Sequence, residues 1–212
     1  MSRLTDNLDS IADRVRQGFS AKDKAREKVL PLCREVIRYC SGAIRAVHRQ
    51  EFDRAKEMLQ SARDLLSEVE QTITTCSELI NTSFIRDSQK EFAEGSITLA
   101  LVMGEQPPDP EGLGIDAAAY MNGLGEAVGE LRRYLLDSMR KGDLSRGEEL
   151  LSAMDDIYNI LVTMDFPDAI TGGLRRTTDM VRGILERTRS DLTLVMSQKE
   201  LEDRFRKIQG KN

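Results

Sequence analysis

The chain has 212 residues, of which 32% are charged and 40% hydrophobic, and its formal net charge is −5. This length allows one domain with a substantial core, and no Pro/Gly/Ser-rich linker divides the sequence, so we expect a single domain over residues 1–212. No apolar run reaches the length of a membrane span and no signal-peptide core begins the chain. These features exclude an integral membrane protein and predict a cytoplasmic one.

Composition and hydrophobic periodicity predict an all-α fold. Leu, Ala, Glu, Arg and Lys dominate, β-branched and aromatic residues are sparse, and Trp is absent. The periodicity predicts about six or seven helices, with one Pro- and Gly-rich loop at 105–115. A short amphipathic segment at about 4–15 precedes the longer helices, and a short polar tail helix follows them. In chain order the longer helices cover about 20–49 with a kink at Pro31, 51–79, a segment ending near Gly104, a segment capped by Asp116 and closed by Gly142-Asp143, 144–164 and 173–195.

The cysteines do not form a recognisable metal or redox motif. Cys33, Cys40 and Cys76 are odd in number and show no CxxC spacing. We interpret them as buried, reduced thiols on helices.

Four glutamates form the pattern with the most chemical content. Glu91 and Glu94 lie three positions apart on one predicted helix, and Glu126 and Glu130 lie four apart on the next. Residues at these spacings share a helix face, so two helices packed antiparallel would direct all four carboxylates at one centre. Carboxylate oxygens suit hard cations such as Mg²⁺ or Mn²⁺. Softer ligands are scarce, because His48 is the only histidine in the sequence.

Glutamate pairs also arise on solvated helix faces, and the two pairs differ in this respect. Glu94 shares a stripe with Ile97 and Leu101, where an unpaired carboxylate is costly to bury. The face of Glu126 and Glu130 lies opposite an apolar stripe and is compatible with full solvation, although nearby glycines allow close approach by a helix or ligand. From spacing alone, a metal site and a solvated face are both consistent interpretations.

Net acidity disfavours nucleic-acid binding on average, but the basic residues are clustered. Arg175, Arg182 and Arg189 follow a heptad spacing on the predicted helix 173–195, and the first long helix is basic as well. A solvated helix and a phosphate-contacting surface explain these stripes equally well. Because aromatic residues are few, any nucleic-acid contact is expected to be with phosphate and sugar and to depend strongly on salt.

Four segments of the chain carry a family resemblance: 28–38 (KVLPLCREVIR), 120–133 (YMNGLGEAVGELRR), the Gly142-Asp143 turn and 165–178 (DFPDAITGGLRRTT). They resemble the translin family in its archaeal or bacterial form and occur in the family's order. The resemblance covers most of the chain, about residues 20–195. It implies an all-α bundle of about seven helices that assembles into a hollow homo-oligomer, an octamer or hexamer, enclosing nucleic acid.

The resemblance also implies a catalytic and metal-binding site. The family's catalytic subunit, translin-associated factor X, is a Mg²⁺-dependent endoribonuclease with a Glu-x-x-Glu on one helix and an Asp-x-x-x-Glu on the next. Glu91, Glu94, Glu126 and Glu130 fall on these positions and would hold Mg²⁺ or Mn²⁺. No histidine is positioned by sequence to act as a base, so the metal or a carboxylate would activate the water.

The family's basic regions imply which residues hold nucleic acid. The expected ligand is RNA, single-stranded or in short duplexes, with single-stranded DNA as a further candidate. Arg175, Arg176 and Arg182 lie where the second basic region falls, and Arg86 and Lys90 resemble the first only loosely.

One departure from the catalytic pattern concerns Glu126, which stands where the catalytic subunit has Asp. The extra methylene moves the carboxylate outward by about a bond length, which a strict octahedral Mg²⁺ site tolerates poorly. All four acids are nevertheless carboxylates, whereas purely RNA-binding translins lack the complete set. The sequence therefore favours a metal-dependent endoribonuclease close to translin-associated factor X. The alternatives are a translin-like oligomer that binds RNA or DNA without cutting it, and a purely structural helical oligomer.

Overall fold

The computed structural model describes Thr5 and residues 7–74 and 82–209. Within these residues the chain is helical and contains no strand, which confirms the predicted all-α class. Six long helices and two single-turn helices follow one another: α1 (Leu8–His48), α2 (Phe52–Ile73), α3 (Ser83–Met103), α4 (Pro110–Leu113), α5 (Ala117–Arg140), α6 (Gly147–Val162), α7 (Asp168–Thr171) and α8 (Leu174–Gln209).

Two predicted helix breaks are absent. The predicted segments 4–15 and 20–49 are one helix, α1, from Leu8 onward, and Pro31 lies inside it without ending it. Gly18 costs about 1 kcal/mol of helix propensity relative to alanine, which is too little to terminate a long helix. Likewise α8 continues through Val195 to Gln209, so the predicted tail is not a separate helix. The end of the predicted helix 51–79 and Cys76 lie outside the described residues.

The other helix ends match their sequence signals. Gly104 ends α3 in the left-handed conformation, with a φ of 78°. Asp116 caps α5 by accepting hydrogen bonds from the backbone N–H groups of Ala118 and Ala119. The loop 105–115 differs from the prediction because it contains α4, whose cap Asp109 accepts a hydrogen bond from the Gly112 N–H.

Helices α3 and α5 run parallel, so the expected antiparallel packing is wrong. A Cβ atom at Gly123 of α5 would lie 2.6 Å from the carbonyl oxygen of Lys90, near the middle of α3. Beyond the other end of α5, Arg146 donates hydrogen bonds to the carbonyl oxygens of Leu101 and Val102 in the last turn of α3. The two helices therefore keep the same direction over their shared length.

The segment between α3 and α5 explains this direction. It leaves the C-terminal end of α3 and runs back to the N-terminal end of α5, where the Tyr120 hydroxyl donates a hydrogen bond to the Pro108 carbonyl. Arg63 of α2 donates another to the Gly112 carbonyl and fixes the returning chain. Helix α5 thus begins beside the start of α3 instead of continuing from its end.

Helices α1 and α8 share the direction of α3 and α5, as contacts at two levels of each pair show. Cys33 of α1 belongs to the same buried cluster as Ile85 near the start of α3, and Thr177 near the start of α8 donates a hydrogen bond to Asn122 of α5. Ile44 and the Cys40 carbonyl of α1 lie within 4 Å of a Cβ placed at Gly95 of α3. On the other side of α5, Arg132 donates a hydrogen bond to the Thr188 hydroxyl of α8 at 3.0 Å. These contacts place α3 and α5 at the centre, with α1 and α8 on either side.

The buried side chains form one large core and a smaller cluster near the start of α3. Each buried Leu, Ile or Phe contributes roughly 1.5–3 kcal/mol of hydrophobic stabilisation. Cys33 and Cys40 are buried free thiols, as predicted. No helix of the described chain combines the length and apolarity that a membrane crossing requires. The largest fully buried side chains include Ile85, Phe92, Ile97, Leu131, Leu135, Leu150, Met154, Leu161 and Leu192.

Candidate metal centre and nucleic-acid cleft

Three of the four predicted glutamates converge between α3 and α5. One carboxylate oxygen from each of Glu91, Glu94 and Glu126 lies within 4.8 Å of the other two. All three side chains are half-buried. Gly123 lets the two helices approach closely at this level, since any larger residue would meet the backbone of α3. Three carboxylates are thus held together on facing helices.

Glu130 lies outside this group and has a different partner. Its Oε2 is 2.5 Å from Nε2 of His48, the last residue of α1, and 3.7 Å from the Arg133 guanidinium. The parallel direction of α3 and α5 is the reason. Glu130 lies one turn beyond Glu126, away from the level of Glu91 and toward the end of α1.

His48 is the hydrogen-bond partner of Glu130. His48 and Glu130 are separated by 82 positions, so no sequence pattern indicated that a histidine lies near the acidic residues. In the structure the His48 side chain is only 6% exposed and hydrogen-bonded to a predicted site residue. A single histidine at a helix end carries no pattern from which this contact is predictable.

The electrostatic surroundings of the glutamates differ strongly. Burial, followed by the charges of Glu91, Glu126 and Glu130, raises the pKa of Glu94 to about 8. Burial and the Glu126 charge also raise the pKa of Glu91. The hydrogen bond from His48 instead holds the pKa of Glu130 below its usual value. Without a bound cation, the Glu94 carboxyl is therefore largely protonated at neutral pH.

The donor set fits a hard divalent cation. Clustered carboxylate oxygens are the ligands that Mg²⁺ and Mn²⁺ prefer, and a cation would relieve the repulsion that raises the pKa of Glu94. Lys90 supplies part of this compensation, with its Nζ 2.7 Å from Glu126 Oε1. Burial opposes the charged lysine, but the hydrogen bond and charge of Glu126 raise its pKa above the ordinary value.

A cleft of about 740 Å³ opens beside the carboxylates, between the N-terminal halves of α3 and α5 and the start of α8. Residues of both predicted basic regions line it, namely Arg86 and Lys90 of α3 and Arg176 of α8. Glu126 lines the cleft as well and joins it to the carboxylate group. Phosphate groups and a metal would thus be adjacent in this space.

The wall of the cleft depends on Asn122, which the sequence reasoning missed. Its buried amide donates hydrogen bonds to the carbonyls of Ala118 and Thr171 and accepts one from the Thr177 hydroxyl. These bonds tie α5 to α7 and to the start of α8. The available signal was its spacing, since Asn122 lies four residues before Glu126 on the same helix face.

The remaining predicted basic residues lie elsewhere. Arg175 and Arg182 are exposed and do not line the cleft. Arg182 makes an ion pair with Glu186 of its own helix at 3.1 Å. Arg189 of the same heptad stripe binds Asp155 of α6 and therefore has a structural partner. The structure thus separates the second predicted basic region into one cleft residue and two outer residues.

Comparisons with known proteins agree with this architecture. The structure of AfC3PO in complex with duplex RNA has 30% sequence identity and a TM-score of 0.79, covering 88% of this chain and 97% of that one. A crystal structure of AfC3PO has 29% identity and a TM-score of 0.80, with the same coverage. That of apo-NeC3PO has a TM-score of 0.76 over 92% of this chain and 100% of its own, but its 17% identity shows the fold alone.

Sequence comparison adds one relative. An uncharacterized protein of Methanocaldococcus jannaschii is 29% identical over 190 residues, which are 89% of this chain and 84% of that protein. No protein-family model matches the chain. The similarity to AfC3PO extends over nearly the whole of that translin-like protein, at 30% identity and with the same helical fold. By these criteria the chain belongs to the translin family.

Proposed function

We propose that this protein is a metal-dependent endoribonuclease that binds RNA within a hollow homo-oligomer and hydrolyses its phosphodiester bonds. The observation that carries the proposal is the convergence of Glu91, Glu94 and Glu126 beside a cleft lined by Arg86 and Arg176. The RNA ligand is supported by the similarity to AfC3PO, whose structure is known with duplex RNA. Single-stranded RNA and single-stranded DNA are further candidate ligands for the same cleft.

In this proposal the carboxylates bind Mg²⁺ or Mn²⁺. Glu91, Glu94 and Glu126 form the ligand group, and Glu130 adds a fourth carboxylate one turn away. A divalent ion bound there supplies a water of lowered pKa and neutralises charge on the phosphate oxygens. The side chain of Glu126 brings its oxygen within reach of the other two, so the extra methylene relative to aspartate does not prevent convergence.

The basic residues orient the RNA backbone. Arg86 of α3 and Arg176 of α8 both line the cleft, and their guanidinium groups are suited to bidentate contacts with phosphate. Lys90 bonds to Glu126 in the absence of metal, and when a cation binds we expect its ammonium to turn toward a phosphate. Arg175 and Arg182 contact the backbone outside the cleft and contribute less to binding.

The complete carboxylate set makes the chain similar to translin-associated factor X rather than to a purely RNA-binding translin. A non-catalytic RNA-binding oligomer is the second candidate. It is favoured by one observation, the ion pair between Lys90 and Glu126, which compensates one ligand carboxylate without any metal. The two candidates share the cleft and differ in whether the carboxylate group binds a cation.

Cleavage of labelled single-stranded and duplex RNA by the purified protein tests the proposal. Reactions with Mg²⁺, Mn²⁺ or EDTA are compared for the wild type, for Glu91→Gln/Glu126→Gln and for Glu148→Gln, an exposed glutamate of α6 outside the site. We expect metal-dependent cutting by the wild type and by the Glu148 variant, and none by the double variant. Gel retardation in EDTA is expected to show that all three bind RNA.

The alternative outcomes are distinct. Retention of RNA by the wild type without cutting in any metal would favour the non-catalytic oligomer. Equal cutting by the double variant and the wild type would place the activity elsewhere. Loss of both cutting and binding in the double variant would contradict the separate roles of carboxylates and basic residues. Light scattering after size-exclusion chromatography, with and without RNA, tests the proposed octamer or hexamer.

A further inference from the structure

The imidazole of His48 occupies an unusual position for a side chain at a helix end. His48 is the last residue of α1, yet its side chain is 6% exposed and lies against α5. Its Nε2 is 2.5 Å from Oε2 of Glu130, and its ring lies 6.5 Å from the ring of Tyr134, one turn further along α5. The hydrogen bond therefore joins α1 to the helix that carries half of the carboxylate site.

The second ring nitrogen has no comparable contact. Nδ1 of His48 is buried and has no hydrogen-bond partner among the described residues. Leaving a ring nitrogen unpaired in a buried position is unfavourable, so packing alone would favour an apolar side chain here. The polar contact that this histidine does make is the one to Glu130. The Nε2–H group donates to the Glu130 carboxylate, and Nδ1 takes no part in this contact.

Glu130 has a competing partner on the solvent side. Its Oε2 lies 3.7 Å from the guanidinium of Arg133, which is three positions away and largely exposed. A glutamate side chain has three rotatable bonds, so without His48 the carboxylate would be free to turn toward Arg133 and water. The bond to His48 keeps it on the inner side of α5, close enough for its charge to raise the pKa values of Glu91 and Glu94.

We infer that His48 is a positioning residue for the divalent-cation site: it holds the Glu130 carboxylate beside the group formed by Glu91, Glu94 and Glu126. The inference rests on the proposed function, since it assigns a residue to the same site. Hydrogen-bond partners that orient ligating carboxylates commonly change metal affinity by about 10- to 100-fold when they are removed. His48 thus acts on the cation through Glu130 and does not itself bind it.

Two amide substitutions separate positioning from packing. In His48→Gln the amide nitrogen lies the same number of bonds from Cα as Nε2 of histidine, so it can still donate to Glu130. In His48→Asn the amide nitrogen takes the place of Nδ1 and cannot reach Glu130. The two variants are similar in polarity and differ mainly in which ring nitrogen they replace.

The experiment measures Mn²⁺ binding to the full-length protein, without RNA, by electron paramagnetic resonance of the free ion. We expect His48→Asn to weaken Mn²⁺ affinity about 10- to 100-fold. His48→Gln should recover most of that loss, and Glu148→Gln should match the wild type. In the Glu130→Gln background, His48→Asn should have little further effect, because the residue through which it acts is no longer a carboxylate.

Three results would overturn the inference. Wild-type Mn²⁺ affinity in His48→Asn would show that Glu130 needs no support. Equal losses of Mn²⁺ affinity in His48→Gln and His48→Asn would show that His48 has a packing role. The same conclusion would follow if His48→Asn weakened Mn²⁺ binding as much in the Glu130→Gln background as in the wild type. If the wild type itself binds no Mn²⁺, the proposed function is wrong and the inference is wrong with it. If the wild type binds Mn²⁺ and only the results for the His48 variants differ from expectation, the inference alone is wrong. Thermal unfolding in EDTA identifies any variant that does not fold. If His48→Asn does not fold, the Mn²⁺ affinities of His48→Gln and Glu130→Gln are compared instead, and only Glu130→Gln should bind Mn²⁺ more weakly than the wild type.

Discussion

Glu126 and Glu130 are the same residue type, one turn apart on α5, yet their surroundings differ. Glu126 joins Glu91 and Glu94 in a group of carboxylates whose burial and, after it, mutual repulsion raise the pKa of Glu94 to about 8. Glu130 accepts a hydrogen bond from His48, and this bond lowers its pKa. One end of the acidic face therefore has only Lys90 to compensate three carboxylates, and the other end has His48 as a hydrogen-bond partner for its single carboxylate. The neighbouring helix, not the glutamate, determines which chemistry each carboxylate supports.

The largest effect is expected from removing the undercompensated end of the acidic face. Glu91→Gln/Glu94→Gln should lower RNA cleavage by roughly 100- to 1,000-fold, since loss of a metal ligand set removes several kcal/mol of transition-state stabilisation. Single-turnover cleavage in Mn²⁺ measures the rate. RNA affinity in EDTA should be unchanged or slightly higher, because two acidic groups disappear. If this double variant cleaved RNA at a rate within threefold of the wild type, the group of Glu91, Glu94 and Glu126 would not be the catalytic end of the acidic face.

A second change tests whether close helix packing creates the carboxylate group. A Cβ at Gly123 would lie 2.6 Å from both the Ala93 Cβ and the Lys90 carbonyl oxygen, so Gly123→Ala must push α5 away from α3. We expect the free energy of unfolding to fall by about 1–3 kcal/mol, as for other overpacked sites, and Mn²⁺ binding to weaken. Urea denaturation and Mn²⁺ titration measure the two effects.

Gly18 provides the matched control, because a Cβ at this exposed position of α1 would meet nothing within 4 Å beyond the neighbouring backbone of its own helix. Gly18→Ala should stabilise the protein by about 0.5–1 kcal/mol through helix propensity and leave Mn²⁺ binding unchanged. If Gly123→Ala behaved like Gly18→Ala, the separation of α3 and α5 would not govern the site.

The two ends should also give opposite pH dependence in the metal-free protein. The pKa of Glu94 is raised from 4.5 to about 8, so its contribution to stability is complete below pH 4.5 and is lost as pH rises toward 8. We expect a loss of roughly 2 kcal/mol, with allowance for partial solvent exposure. Denaturant titrations of the wild type and Glu94→Gln in EDTA, from pH 4.5 to 8.5, measure it. The variant should show a flatter profile.

Glu130 has the reverse sign. Its pKa is lowered from 4.5, so it contributes stability above that value and loses it as pH falls through the folded-state pKa. Glu130→Gln should therefore reduce the loss of stability below about pH 4.5 and have little influence on the slope between pH 6 and 8. A profile of Glu130→Gln that copied that of Glu94→Gln would contradict the difference between the two ends.

The smallest effects are expected among the basic residues. Arg176→Ala removes a cleft side chain and should reduce the salt dependence of RNA binding by about one phosphate contact. Arg182→Ala should reduce the salt dependence less, because Arg182 is paired with Glu186 outside the cleft. Arg189→Ala, which loses only its bond to Asp155, serves as the control. Gel retardation across a salt series measures the slopes, and equal slopes for all three variants would contradict the assignment of the cleft.

Local chemistry in the sequence determined the helices and most of their ends. The cap at Asp116 and the stop at Gly104 depend on neighbouring residues alone, and hydrophobic periodicity identified the buried faces. The helix spacing also determined that Glu91 and Glu94 share a face. The family's motifs, read from the order of short segments, indicated the fold before any contact was known.

Only the tertiary structure decided how these faces meet. The path of the loop between α3 and α5 makes the two helices parallel, and this direction brings Glu126 to Glu91 and Glu94 while carrying Glu130 past them. The contact of Glu130 with His48 joins residues 82 positions apart, and no local pattern encodes such a distance. Periodicity specifies which residues lie on a helix face, but helix direction and register arise from the packing of the whole chain. For that reason the four glutamates were identifiable from the sequence, and their separation into a carboxylate group and a histidine-bound residue was not.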